Sequence, residues 1–190
     1  MYTINKIFPT LLHTIDNIPI SEELVQYCVT NPDLELGKSR SNRGGKQSPD
    51  TTEDSIVKDL IQNIIEENIH QVCQYELEID NYWINLNTRH SYNVMHCHPG
   101  AILSGVVYIQ ASEDSGDLVF YHPNMYSIYQ ESAIYNREDL SQFINVRMKP
   151  KTGVCYIFPG HLMHLVEPNK TQDDRVSVSF NINVKNSKEP

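Results

Sequence analysis

The chain is poor in cysteine, in positive charge and in long apolar runs, and each shortage narrows what it can be. Its four cysteines, Cys28, Cys73, Cys97 and Cys155, form no Cys-x-x-Cys pair and no dense framework. A disulfide-stapled scaffold is therefore disfavoured, and free, buried thiols in a reducing compartment are expected. The 15 Lys and Arg are outnumbered by 24 Asp and Glu, for a formal net charge of −9. That balance argues against a nucleic-acid partner, because phosphate contacts need clustered cations. No stretch approaches the ~20 apolar residues of a membrane span. The segment from Met1 to Pro9 also lacks the apolar core of a signal peptide, so a cytoplasmic address and no membrane partner are expected. Internal repeats and low-complexity tracts are absent too.

What remains is ordinary globular composition, 39% hydrophobic and 21% charged, at a length that fits one domain over residues 1–190. Helical support is expected over about 1–75 and a strand-built core over about 76–185. Residues 2–12 alternate loosely and suit a strand ending at a turn. Ser21 should cap a short helix through Cys28, with Glu22 and Glu23 in its first turn. Residues 36–52 carry Gly37, Gly44, Gly45 and Pro49 without apolar periodicity and read as a loop. Lys38, Arg40, Arg43 and Lys46 make that loop locally basic, so it is either a solvated surface loop or a lid over substrate.

From Asp54 to Val72, Ile56, Val57, Leu60, Ile61, Ile64 and Ile65 recur at helical spacing, which predicts an amphipathic helix packed on a sheet. Two strands follow, Glu76 to Ile79 and Tyr82 to Asn87. In the second, Trp83, Asn85 and Asn87 share one face and Tyr82, Ile84 and Leu86 the other, with one face turned inward. Short strands then dominate: 92–98, 103–110, 116–121, 143–148, 153–158, 164–167 and 175–184. Broken by Gly and Pro turns, they predict a mainly β sandwich or jelly roll. The segment 122–142 interrupts them with Tyr126, Tyr129 and Tyr135, either as a substrate-facing insertion or as a loop packed on the barrel. Residues 186–190 form a polar tail.

The chemistry concentrates in Met95-His96-Cys97-His98-Pro99-Gly100. Alternation along a strand puts His96 and His98 on one side and Cys97 on the other, a two-point clamp for a divalent first-row metal. Two imidazoles leave most coordination positions open, so a further ligand must come from elsewhere. His161 and His164 are the candidates. His164 opens the apolar His-Leu-Val pattern of a strand, whereas His161 follows Pro159-Gly160 in a turn. His13, His70, His90 and His122 have no partner spacing.

These residues carry a resemblance. The segments Ser41 to Ser48, His96-x-His98-Pro99 with Leu103 to Tyr108, Ser115 to Phe120, and Phe158 to Asn181 are similar to those of the Fe(II)/2-oxoglutarate-dependent dioxygenases. Within that superfamily the chain resembles a branch of small oxygenases related to prolyl hydroxylases. Two positions depart from the pattern: His98 stands where the superfamily usually has Asp or Glu, and Lys46 where the branch has tryptophan.

The resemblance implies a double-stranded β-helix of the cupin-like, jelly-roll type and a metal site of His96, His98 and His164. Its cofactor would be Fe(II), with 2-oxoglutarate and dioxygen as cosubstrates. Asp117 is kept as an alternative source of the missing carboxylate. Arg175, opening the last strand, would pair with the distal carboxylate of 2-oxoglutarate, with Ser177 on the same face adding a hydroxyl. Tyr108 falls where related hydroxylases carry a cosubstrate-binding tyrosine. Ser104, on the same face as Tyr108, and Asn85 are further cosubstrate-binding candidates. The implied reaction is hydroxylation, with a protein or peptide side chain such as proline as the substrate by analogy. A homodimer is left open. The competing readings are a cupin-like three-histidine metalloprotein, acting without 2-oxoglutarate as a dioxygenase or isomerase, and a non-catalytic metal-binding scaffold.

Overall fold

The structure is a computed structural model that describes residues 10–37, 40–70, 72–124 and 145–185. The expectations for residues 2–9, Lys38, Tyr126, Tyr129, Tyr135 and the 186–190 tail lie outside the described residues. Strands β1 (His13–Ile15), β2 (Asn42–Arg43), β3 (Lys46–Gln47), β4 (Leu77–Asn87), β5 (Tyr92–His96) and β6 (Leu103–Gln110) are followed by β7 (Leu118–Tyr121), β8 (Asn145–Met148), β9 (Cys155–Pro159), β10 (His164–Val166) and β11 (Arg175–Val184). Among the described residues they form a six-stranded sheet, ordered β1-β9-β6-β11-β4-β3, and a five-stranded sheet, ordered β2-β5-β10-β7-β8. Neighbouring strands run antiparallel, and the two sheets form the jelly roll of the double-stranded β-helix.

Strand β11 shows why the large sheet sits where it does. Val176, Val178, Phe180 and Ile182 alternate with Arg175, Ser177, Ser179 and Asn181, so one face is apolar and the other polar. The apolar set packs with Tyr82, Ile84 and Leu86 of β4 beneath the helical layer, in a core that includes Leu24, Cys28, Val57, Ile61 and Ile64. Helix α1 (Glu22–Val29) starts at Ser21, whose side chain accepts from the Leu24 amide at 3.1 Å. Helix α2 (Ile56–Ile64) starts at Ser55, which accepts from the Lys58 amide at 3.2 Å and meets the Tyr82 hydroxyl at 2.8 Å. That last contact ties the helix N-terminus to β4. The helical run then loosens into one π turn, Ile65–Ile69, which buries Ile65 and Ile69. Between the sheets lies a smaller apolar cluster that includes Tyr108, Leu118, Phe120, Tyr156, Phe158 and Leu162.

Three expectations change. Residues 36–52 are not all loop: β2 pairs with β5 and β3 with β4, so the tight turn between them joins the edges of both sheets. Gly44, at φ +75°, makes its turn. A Cβ at Gly45 would lie 2.5 Å from Asn87 Nδ2, so only glycine lets the turn close on β4. The two strands read as one, because β4 runs unbroken through Asp80 and Asn81. Finally, β5 ends at His96, and His98 lies past the ladder, its amide donating to Gly160 O at 2.8 Å. All four cysteines are free, and burial pushes the Cys28 thiol up to about 12. Among the described residues no helix is long and apolar enough to cross a membrane.

Candidate metal centre

His96 and His164 face each other directly across the β5–β10 pair, which projects both imidazoles to one side of the small sheet. His98, two residues further on, completes the group. One ring nitrogen from each lies within 4.8 Å of the others. The ring centroids are separated by 4.3 Å for His96 and His164, 5.1 Å for His98 and His164, and 5.3 Å for His96 and His98. Trp83 stacks on His98 at 5.7 Å, and Phe158 packs edge-on against His164 at 4.8 Å. These aromatics hold the ring planes and exclude water from one side.

Hydrogen bonding selects the tautomer of each ring. His96 Nδ1 lies 2.8 Å from Val94 O, His164 Nδ1 2.8 Å from Leu162 O, and His98 Nδ1 2.8 Å from Asn181 Oδ1. A carbonyl oxygen can only accept, so each Nδ1 carries the proton and each Nε2 keeps its lone pair. Burial drives all three pKa values down, to about 4 for His98 and about 3 for His164. The rings are therefore neutral near pH 7, which is the form that binds a metal. Three neutral nitrogen donors converging from one side suit a first-row divalent ion and leave further coordination positions for other ligands.

The cavity beside this cluster measures about 510 Å³ including solvent at its mouth, and its wall includes Asn85, Tyr108, Arg175 and Ser177. Arg175 is 1% exposed. Its Nη1 donates to the carbonyl oxygens of Ser115, Gly116 and Glu167. Its Nη2 is buried without a hydrogen-bond partner among the described residues. Burial lowers the pKa of this guanidinium, but from so high a value that it stays charged. Gly116 permits the approach: a Cβ there would lie 2.8 Å from Arg175 Nη1, and its φ of +97° suits glycine. A buried cation with an idle donor fits a carboxylate, since a buried charge without a counter-charge is costly.

Asn85 contributes a second unmet atom. Its Nδ2 donates to Ser179 Oγ at 3.1 Å, while Oδ1 is buried without a partner among the described residues. A hydroxyl can donate or accept, so the amide can turn and present its NH2 group to an anion without losing Ser179. Burial pushes the Tyr108 phenol well above its usual range, so it remains a donor. The donor set therefore fits a small dicarboxylate held beside a metal.

The structure separates the remaining candidates from this group. His161 is exposed in its turn, and Asp117 meets Lys149 at 3.1 Å and Arg147 at 3.5 Å, away from the histidines. Ser104 does not line the cavity, and its hydroxyl donates to Asn181 Oδ1 at 2.8 Å. Sequence reasoning missed Asn181 and the carbonyl cradle of Ser115, Gly116 and Glu167. The period-2 run of polar residues down β11 was the available signal for Asn181. Main-chain carbonyls carry no residue signature.

Residues 81–181, just over half of the chain, match the family described as "Putative 2OG-Fe(II) oxygenase", and the chain belongs to that family. Iron(II) and 2-oxoglutarate are accordingly its cofactor and cosubstrate. No curated protein matches the chain by sequence. Among solved structures it is similar to an oxidoreductase of the 2OG-Fe(II) oxygenase family from Burkholderia pseudomallei, at 16% identity and a TM-score of 0.50. That match covers 67% of this chain, which spans only 58% of the Burkholderia protein's length. A Pseudomonas putida prolyl-4-hydroxylase is similar at 15% identity and TM-score 0.59, over 93% of this chain and 94% of that one. The non-heme alpha ketoglutarate dependent epimerase SnoN from nogalamycin biosynthesis is similar at 13% identity and TM-score 0.62, over 92% and 78%.

Proposed function

We propose that the chain is a hydroxylase in which His96, His98 and His164 hold iron(II) and Arg175 anchors the distal carboxylate of 2-oxoglutarate. The single observation behind this reading is the idle, buried Nη2 of Arg175 in the same cavity as three deprotonated ring nitrogens. Ser177 and Tyr108 offer hydroxyl donors to that carboxylate, and Asn85 its amide. Held by these residues, iron(II) and 2-oxoglutarate would supply an oxidative decarboxylation coupled to hydroxylation of an unactivated C–H bond. Trp83, Phe120 and Phe158 exclude water around the rings. Ser41, Asn87 and Asn93 form polar lining, suited to an uncharged polar substrate. A protein or peptide side chain, proline first, is the substrate class we propose.

The test is succinate release from 2-oxoglutarate by the iron-loaded chain, with and without peptide, amino-acid and nucleobase libraries. Uncoupled turnover in wild type and its absence in Arg175→Ala are expected. An iron-loaded chain that consumes no 2-oxoglutarate under any condition would overturn the reading in favour of the three-histidine alternatives.

A further inference from the structure

His98 is held differently from its two neighbours. His96 and His164 each donate from Nδ1 to a main-chain carbonyl two residues back, a contact that no side-chain substitution at Val94 or Leu162 removes. His98 lies beyond the end of β5, between Cys97 and Pro99, and its Nδ1 meets a side chain instead. That side chain, Asn181, sits on the cavity-side face of β11, directly opposite Asn81 of β4 and Ser104 of β6. The three form one row across the middle of the large sheet. Ser104 Oγ donates to Asn181 Oδ1 at 2.8 Å, Asn181 Nδ2 donates to Asn81 Oδ1 at 2.9 Å, and Asn81 Nδ2 donates to Asp80 Oδ2 at 3.3 Å.

The row has a direction. An ionised carboxylate only accepts, so Asp80 draws the NH2 group of Asn81 and leaves that amide's oxygen facing Asn181. Asn181 must answer with its own NH2 group, which turns its oxygen toward His98. The imidazole then has to present Nδ1–H, and Nε2 is bared toward the other two rings. We propose that Asn181, oriented by Asn81 and Ser104, is a positioning residue that fixes the tautomer and ring plane of His98 as a metal ligand. This rests on His98 being a ligand, as argued above. It also gives Ser104 a role one step behind the cavity wall, and it assigns to side chains at His98 the work that main-chain carbonyls do at the other two histidines.

The experiment uses the full chain at pH 7.5 with histidine labelled by nitrogen-15, first free of metal and then titrated with Co(II). Long-range proton–nitrogen correlation reads each tautomer directly. Wild type should show His98 protonated at Nδ1. Asn181→Leu should move His98 toward the Nε2–H form, leave His96 and His164 as they are, and weaken Co(II) binding about 10- to 100-fold. Asn181→Asp restores an acceptor and should recover both the tautomer and wild-type Co(II) affinity. Asn181→Leu matching wild type in tautomer and affinity would overturn the inference alone. A wild-type chain that keeps the Nδ1–H tautomer yet holds no Co(II) would overturn the three-histidine metal site instead. If Asn181→Leu does not fold, Asn181→Asp decides the matter, and loss of both readouts in that variant sinks the proposal.

Discussion

The two faces of the large sheet are made by alternate residues of the same strands, yet they are built to opposite ends. On β11 and β4 the outer residues Val176, Val178, Phe180, Ile84 and Leu86 are sealed under the helices. The inner residues Arg175, Ser177, Ser179, Asn85 and Asn87 line a cavity. The outer face meets its needs within the protein. The inner face leaves Arg175 Nη2 and Asn85 Oδ1 buried and unmatched among the described residues, which is costly unless a ligand answers them. The difference teaches that the outer face supplies the stability against which the inner face can stay incompletely satisfied. Changes on the two faces should therefore separate binding from stability.

The largest effect is expected at the cluster itself. His164→Ala should abolish iron retention, measured by metal analysis after gel filtration, while the melting temperature of the metal-free chain changes little. A fully loaded variant would move the assignment to another residue. Next comes Arg175→Leu, which removes the buried cation and keeps most of its bulk. It should weaken 2-oxoglutarate binding by about 100-fold, corresponding to roughly 2.7 kcal/mol, with iron still bound. The variant loses an unpaired buried charge but also strands the carbonyls that Nη1 serves, so the two costs offset and metal-free stability should change far less than the affinity does. Unaltered dependence on 2-oxoglutarate would break the inner half of the comparison.

On the outer face, Ile61→Ala opens space in the helix–sheet core and should cost about 2–5 kcal/mol in urea unfolding. The folded fraction should bind 2-oxoglutarate as wild type does. A large change in that affinity would show the faces to be coupled.

The smallest effect is on pH. His98 and His164 have native pKa values near 4 and 3, below the ordinary 6.5, because burial penalises their charged form. Between those limits the unfolded chain binds protons that the native chain does not. Stability of the metal-free protein should therefore be constant above about pH 7 from these groups, and fall as pH drops from 6.5 toward 3. Urea midpoints at pH 7.5, 6 and 5 measure this, and a rise on acidification would contradict it.

Much of this arrangement was legible in the sequence where periodicity was strong. The alternation from Arg175 to Val184 gave both the strand and its faces, and Ile56 to Ile65 gave the helix that covers it. The His96-x-His98 spacing and the strand-like setting of His164 anticipated three rings that the structure brings together. Strands β2 and β3 escaped because strands of two residues need no apolar face to pair. The unbroken β4 escaped because Asp80 and Asn81 look like turn residues, whereas Asn81 is held in the sheet by Asn181 from the neighbouring strand. Asn181 shared the polar period of β11, but nothing local pointed to its role, since that role depends on a histidine 83 positions away.

The most direct test is to add iron(II) and 2-oxoglutarate to the full chain without oxygen and record its visible spectrum. A weak charge-transfer band is predicted that needs both additions and disappears when either His164 or Arg175 is replaced. Iron bound at the histidines with no band at saturating 2-oxoglutarate would contradict the joining of metal and guanidinium in one site.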